Sequence, residues 1–470
     1  MNDATDLPIT GCWGTFTFAS IDRLSYFRLR SSGPKLFMNP AVNIPRVTRR
    51  HFLHAAGTLA GVLASGRAPA LLAAESPGSR VRVAVLGLGR GMDHIGTYLQ
   101  IPNAEVACVC DVDERRVAGA VRKVQEKTGK APLGVRDFRR VLDDRNIDAV
   151  SVALPNFWHA PATILACRAG KHVYVEKPGS HNAHEAGLMV AAARKYQRVV
   201  QMGNQRRSRP EIIEAIARLR AGEIGPVRAA RSWYDATRPG IGRGHPAPVP
   251  DWLDYELWQG PIAPRPYVDN LVHYNWHWRW HWGGGELANN GIHALDVCRW
   301  GLGVEFPQRV TYTGGRYHFS DDQETPDTAV ASYDFGHCTA IWDCSSCLPR
   351  ENEKHSFVSF YGDGGVLALD SGSGYRIFET NGKERLSVVG KSGDLPHFTN
   401  FIEAIRTGVK LNSEIAEGQK STLLCHLGNI AYRTGTSLAV NPRTGTIDGA
   451  TSRMKQLWTR EYRRGWEPKV

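Results

Sequence analysis

Val81-Arg82-Val83-Ala84-Val85-Leu86 runs without a break into Gly87-Leu88-Gly89-Arg90-Gly91-Met92. A short β-branched run of this kind is the pattern of a strand buried on both faces, as in a parallel sheet. Glycines directly after it suit a tight strand-to-helix turn. A backbone without Cβ can approach a pyrophosphate closely, and the helix N-terminus beyond favours its charge. The spacing departs from G-x-G-x-x-G, because Met92 stands at the third glycine position and Gly91 comes one residue early. Gly87, Leu88, Gly89, Arg90, Gly91 and Met92 form the candidate phosphate loop. The next apolar run, Val106–Cys110, ends at Asp111, where a carboxylate can bind ribose hydroxyls. That carboxylate repels a 2′-phosphate, so NAD is expected ahead of NADP, with Arg115 and Arg116 as the counter-argument.

Ala149–Leu154, His172–Val175 and Val199–Met202 read as further strands, separated by helical stretches at His159–Gly170 and Glu185–Tyr196. Repeated βα units imply an α/β fold with an N-terminal Rossmann-type, doubly wound parallel sheet over residues 80–203. After Gly203-Asn204-Gln205 the pattern changes. A helix at Pro210–Ala221 leads into a strand at Val227–Trp233. Ala329–Phe335, Cys338–Cys344, Ser356–Tyr361 and Gly365–Leu369 then read as successive strands with polar turns. Residues 204–460 are expected to form an α+β domain with an open, largely antiparallel sheet. A late helix, Phe398–Arg406, is expected to pack back across the molecule.

Pro155-Asn156-Phe157-Trp158-His159, followed by Gly170-Lys171-His172-Val173-Tyr174-Val175-Glu176-Lys177-Pro178, resembles the Gfo/Idh/MocA oxidoreductases, the glucose–fructose oxidoreductase and inositol dehydrogenase group. The resemblance covers almost everything after residue 80. It implies that Asn156, His159, Glu176, Lys177 and Asn204 border the dinucleotide, and that the second sheet uses one face for assembly into a homo-oligomer. It also implies a catalytic histidine facing the nicotinamide, which here is His293. Members of the family commonly carry an aspartate four residues before that histidine. Lys177 is the candidate acid/base, since a lysine near the positively charged nicotinamide ring should have a lowered pKa, with His293 bonding the reacting hydroxyl. This chain has Asn289 at the aspartate position, which cannot act as a base, so Asn289 is expected to position substrate, or the net reaction is other than simple dehydrogenation.

Trp276-His277-Trp278-Arg279-Trp280-His281-Trp282 is the most unusual run in the chain. If extended, it sets four indoles on one side and His277, Arg279 and His281 on the other. Indole faces suit sugar rings, while histidine and arginine can bond hydroxyls or a carboxylate; a purely aromatic core cluster is the competing reading. Trp278, Arg279, His281, Asn290 and His293 are the candidate substrate ligands. Helical spacing from Asn289 would set Asn289, His293 and Asp296 on one face. No metal site is expected, since alternation separates His277 from His281 and Cys344 with Cys347 makes a single Cys-x-x-Cys.

The net charge of +12 gives no nucleic-acid signal: residues 1–74 hold eight Lys/Arg against three Asp/Glu, and the remainder forms no basic run. Thr48-Arg49-Arg50-His51-Phe52-Leu53 precedes a small-residue apolar stretch and Ala68-Pro69-Ala70, a layout that resembles a twin-arginine signal. Residues 1–74 are read as a leader recognised by the twin-arginine export machinery, with a periplasmic destination and with Met38 as an alternative start. The expected activity is NAD(P)-dependent oxidation of a secondary hydroxyl in a carbohydrate-like substrate. The alternatives are an NAD-retaining glycosidase or lyase working through transient sugar oxidation, and a non-catalytic NAD- and sugar-binding sensor.

Overall fold

The computed structural model describes residues 80–470 apart from 351 and 354, so the twin-arginine segment lies outside the described residues. Six strands form the first sheet: β1 (Val81–Leu86), β2 (Ala104–Cys110), β3 (Leu133–Val135), β4 (Ala149–Val152), β5 (His172–Val175) and β6 (Val200–Met202). All pairs are parallel, in the order β3-β2-β1-β4-β5-β6. Strand order reverses beside β1, and the crevice at such a switch point is where sheets of this type take ligands. The connecting helices are α1 (Gly91–Tyr98), α2 (Glu114–Thr128), α3 (Arg139–Asp143), α4 (Asn156–Arg168) and α5 (Ala183–Lys195). Asp113 and Asn182 cap α2 and α5 by accepting from the backbone N–H groups of Arg115 and Glu185.

The early glycine in the phosphate loop has a packing cause. A Cβ on Gly91 would lie 2.9 Å from Val85 Cγ1, so Gly91 allows α1 to sit close on β1, the task of the third fingerprint glycine. Gly87 has φ +83°, and a Cβ there would meet the Ala153 carbonyl oxygen at 2.5 Å.

The second domain opens with α6 (Pro210–Arg220). Its sheet comprises β7 (Val227–Asp235), β8 (Arg309–Gly315), β9 (Thr328–Asp334), β10 (Thr339–Ser345), β11 (Val358–Gly362), β12 (Gly365–Leu369), β13 (Tyr375–Phe378), β14 (Glu384–Val388) and β15 (Leu438–Ala439). The order is β14-β13-β12-β11-β7-β10-β9-β8-β15, antiparallel except for the parallel pair β7–β10. Between β7 and β8 the chain makes a long, mostly irregular excursion through α7 (Tyr255–Gln259) to α8 (Ile292–Leu302). Three helices follow the meander: α9 (Leu395–Thr407), α10 (Ile415–Thr434) and α11 (Ser452–Trp458). The returning helix is α9. Its Phe398, Phe401 and Ile402 are fully buried in one cluster with Ile95, Tyr98 and Val109, so residues from the far end of the chain close the core behind α1.

A buried ion pair fastens the loop after β6 to α8. Arg207 donates from Nε and Nη2 to the Asp296 carboxylate at 2.8 Å, and Ser421 Oγ on α10 donates to the same group. Asp296→Ala leaves the buried guanidinium with only Glu417, 3.9 Å away, so we expect a stability loss of about 3–5 kcal/mol, read as a lower urea midpoint. A paired Arg207→Met, Asp296→Leu variant should recover most of it.

Candidate active site

A cavity of about 500 Å³ opens at the carboxyl edge of the parallel sheet. Gly87, Gly89 and Arg90 line its floor, with Asp111 at the end of β2, Asn156 and His159 after β4, and Glu176 and Lys177 after β5. Its roof comes from the second-domain excursion, through Leu257, Trp258, His273, Tyr274, Trp276 and His277, and Asn289 completes the wall.

The floor has the features a dinucleotide requires. Leu88 donates its backbone N–H to Asp111 Oδ2 at 2.6 Å and Asp113 donates to Oδ1 at 2.9 Å, which fixes the carboxylate beside the glycine turn. The open turn, the α1 N-terminus and this carboxylate match a pyrophosphate and an adenosine ribose. Leu88 is core, Gly91 packs on β1 and Met92 is half-buried on the first turn of α1, so these three shape the loop without lining the cavity. Arg115 is committed to Asp113 at 2.8 Å and to the Trp252 ring at 3.6 Å, whereas Arg116 and Arg136 face the cavity. Asn204 is buried away from it, with its amide atoms unpartnered.

Glu176 is the hub of the site. Its Oε1 accepts from His94 Nε2 at 3.0 Å, Gln205 Nε2 at 3.3 Å and Arg90 Nε at 3.4 Å, and Oε2 accepts the Lys177 N–H at 3.1 Å. Burial pushes its carboxyl up, but His94, Arg90 and Lys177 outweigh burial and hold it far below the usual carboxylate range. His159 sets its ring nitrogens against the carbonyls of Pro178 at 2.6 Å and Leu154 at 2.7 Å, linking the ends of β4 and β5.

Lys177 Nζ donates to both Asn289 oxygens, the backbone carbonyl at 2.9 Å and Oδ1 at 3.0 Å. Burial pulls the ammonium pKa down, with Glu176 and Glu286 opposing and Arg90 and Arg238 assisting. The helical stretch expected from Asn289 is a π-turn, Leu287–Gly291, followed by α8. His293 is half-buried on the first turn of α8, outside the cavity lining, and its ring makes no hydrogen bond among the described residues. Burial, Lys177 and Arg206 hold its pKa well below the ordinary value. Asp296 belongs to the buried ion pair and Asn290 donates to Glu286.

The tryptophan run is corrected by the structure. Asn275–Trp278 is a turn of 3₁₀ helix followed by further turns, so the segment is not extended. Trp276, Trp278 and Trp282 are buried, and Trp282 packs on Phe157 and Trp258 with centroids 5.4 and 4.9 Å away. Trp278 lies under Arg238 at 5.0 Å. Arg279 pairs with Asp322 at 2.8 Å and His281 faces the Ala263 carbonyl at 2.9 Å, so Trp278, Arg279 and His281 do not line the cavity. The members that do are Trp276 and His277, stacked on each other at 3.6 Å, with the His277 pKa pushed down to about 3 by burial. His273 and Tyr274 lie in irregular turns, where no periodicity marks them, and His277 lies in the 3₁₀ turn.

The match to known families agrees with this geometry. Residues 81–204 match the Gfo/Idh/MocA oxidoreductase family, NAD-binding Rossmann fold, and residues 233–467 match that family's C-terminal α/β domain. This chain belongs to the Gfo/Idh/MocA oxidoreductase family. It is 29% identical to an inositol 2-dehydrogenase of Saccharopolyspora erythraea over 50% of this chain and 58% of that protein. It is 27% identical to an α-N-acetylgalactosaminidase of Shewanella oneidensis over 40% of this chain and 46% of that protein. The chain thus spans about half the length of the curated relatives it matches. The WlbA dehydrogenase of Bordetella pertussis, solved with NADH and UDP-GlcNAcA, shares the fold with TM-score 0.60 at 19% identity, covering 77% of this chain and 99% of that one.

Gly87→Ala should weaken NAD binding tenfold or more, measured by fluorescence titration. The new Cβ strains a left-handed residue, at about 1–3 kcal/mol, and collides with the β4 exit.

Proposed function

We propose that the chain is an NAD-dependent oxidoreductase acting on a secondary hydroxyl of a sugar, polyol or glycoside. The observation that carries this reading is the Lys177–Asn289 contact, which sets a half-buried amine in the lining of a cavity whose floor fits a dinucleotide. The nicotinamide, when bound, supplies hydride acceptance. Lys177 supplies the proton path: its lowered pKa makes the neutral amine accessible as a base for a hydroxyl proton. Asn289 cannot take that proton and orients Nζ instead. His293, neutral and without a hydrogen-bond partner among the described residues, is available to a substrate hydroxyl. Trp258, Tyr274 and Trp276 give the cavity the aromatic faces that suit sugar rings. The inositol dehydrogenase relative supports that substrate class.

A second reading, transient oxidation within an NAD-retaining glycosidase, is favoured by the glycosyl hydrolase relatives and by Tyr274 and His277 lining the same cavity as Lys177. Denaturing the purified protein and assaying released dinucleotide separates the two. Stoichiometric bound NAD with sugar cleavage supports the cycle, and lasting reduction of added NAD supports simple dehydrogenation. Delivery to the periplasm through Arg49-Arg50, and assembly of several copies, belong to the same proposal.

Lys177→Met should lower kcat by about 10²–10⁴-fold while NAD affinity changes little. In the oxidative direction the parent rate should rise with pH through an inflection below the ordinary lysine value, because the base must lose its proton. Lys177→Met should abolish that limb. A variant with unchanged kcat and pH profile would remove Lys177 from the chemistry.

A further inference from the structure

A second, small cavity lies behind the loop that carries Lys177. His181, Asn182, Trp280, Gly284, Asn429 and Arg433 line it, and its volume is about 30 Å³. Unpartnered polar atoms concentrate here. Both ring nitrogens of His181, Nδ2 of Asn182 and Oδ1 of Asn429 are buried without a hydrogen bond, as are Nε and Nη1 of neighbouring Arg460. Asn182 is 4% exposed; its Oδ1 is committed to the cap of α5, and its Nδ2, close to the Tyr462 hydroxyl, is the donor left on this lining residue. Arg433 is half-buried over the Trp280 ring at 5.0 Å, with no ion pair among the described residues.

The charges around the cavity do not cancel. Glu185 accepts from Arg460 Nη2 at 3.0 Å, from Tyr462 at 2.8 Å and from the His181 N–H at 3.0 Å, so it balances Arg460 alone. Glu324 attracts Arg433 from a distance and Arg453 repels it. Burial keeps His181, His281 and His426 neutral. Donors therefore outnumber acceptors, and Arg433 has no close counter-charge. Buried donors in this state are costly unless a ligand accepts from them. The volume admits a water or two, or one monatomic ion, and excludes a sugar or a phosphate ester.

We propose that this cavity is a halide site, with chloride accepting from Asn182 Nδ2, His181 and the Arg433 guanidinium. The site lies between the segment just after Lys177 and the glycines just before Asn289. Occupancy therefore ties together the two loops whose contact defines the active site. The proposal goes beyond the oxidoreductase reading and does not depend on it.

Crystals of the full chain grown in sodium bromide should show an anomalous bromide peak in the cavity. In solution, chloride should raise Tm by about 2–5 °C over gluconate at equal ionic strength. Arg433→Met and Asn429→Asp, the second adding a repelling charge, should each lose that rise. Water alone in the bromide crystals, or equal Tm in the two salts, overturns the proposal. A variant that fails to fold leaves the bromide measurement on the parent chain decisive.

Discussion

A carboxylate held charged in the interior organises this molecule. Glu176 is 4% exposed at the exit of β5, and an ionised group at that depth is stable only if donors converge on it. Those donors come from separate elements: Arg90 from the glycine turn, His94 from α1, and Gln205 from the loop after β6. Arg90 extends the network by pairing with Asp394 at the start of α9. The other nitrogen of His94 meets Ser151 Oγ at 2.9 Å, which receives a hydrogen bond from Tyr98. One charge therefore fixes the phosphate loop, the lysine beside it and the helix that returns from the far end of the chain. Removing the carboxylate would leave Arg90 and His94 without their shared partner, so its effect would reach well beyond the cavity floor.

The roof obeys a different constraint. The excursion between β7 and α8 has little regular structure, so its position over the first sheet rests on side chains and on one backbone bridge, between Asp113 and Leu253. Trp158 Nε1 donates to the Trp258 carbonyl at 2.8 Å, and His273 Nε2 meets Asp113 at 3.1 Å. A Cβ on Gly260 would lie 1.8 Å from the Trp158 ring, so that close approach requires glycine. The tryptophan-rich run thus packs and locks the roof, and this is why three of its four indoles face the core.

Most of the parallel sheet was legible because its strands other than β3 are apolar runs bounded by turn residues, and β1 and β5 fall where the pattern put them. Strand β3 was not: it has three residues, of which Val135 alone is buried, so no apolar run announces it. Asp111 was visible because it closes a strand, and the Glu-Lys-Pro segment because its residues at a strand end resemble those of a known family. Arg279 and His281 misled because strict alternation suggests a strand, whereas tertiary packing around Phe157 and Trp258 folds the segment into turns. Arg238, which donates to Glu286, Tyr234 and Tyr274, was hidden because its partners lie far apart in sequence.

Asn289 in place of an aspartate changes how Lys177 behaves. A carboxylate within hydrogen-bond reach of Nζ would stabilise the ammonium and raise its pKa, working against the burial that lowers it. An amide oxygen gives the same geometric hold without the charge, so burial dominates and the neutral amine becomes accessible. Nearby carboxylates cannot substitute for the missing base. Asp296 is locked to Arg207, and Glu286 is bonded to Arg238 and Asn290. The substitution therefore concentrates proton transfer on Lys177 and His293. It is compatible with net oxidation and with an internal redox cycle alike, since both need a lysine that can take a proton and return it.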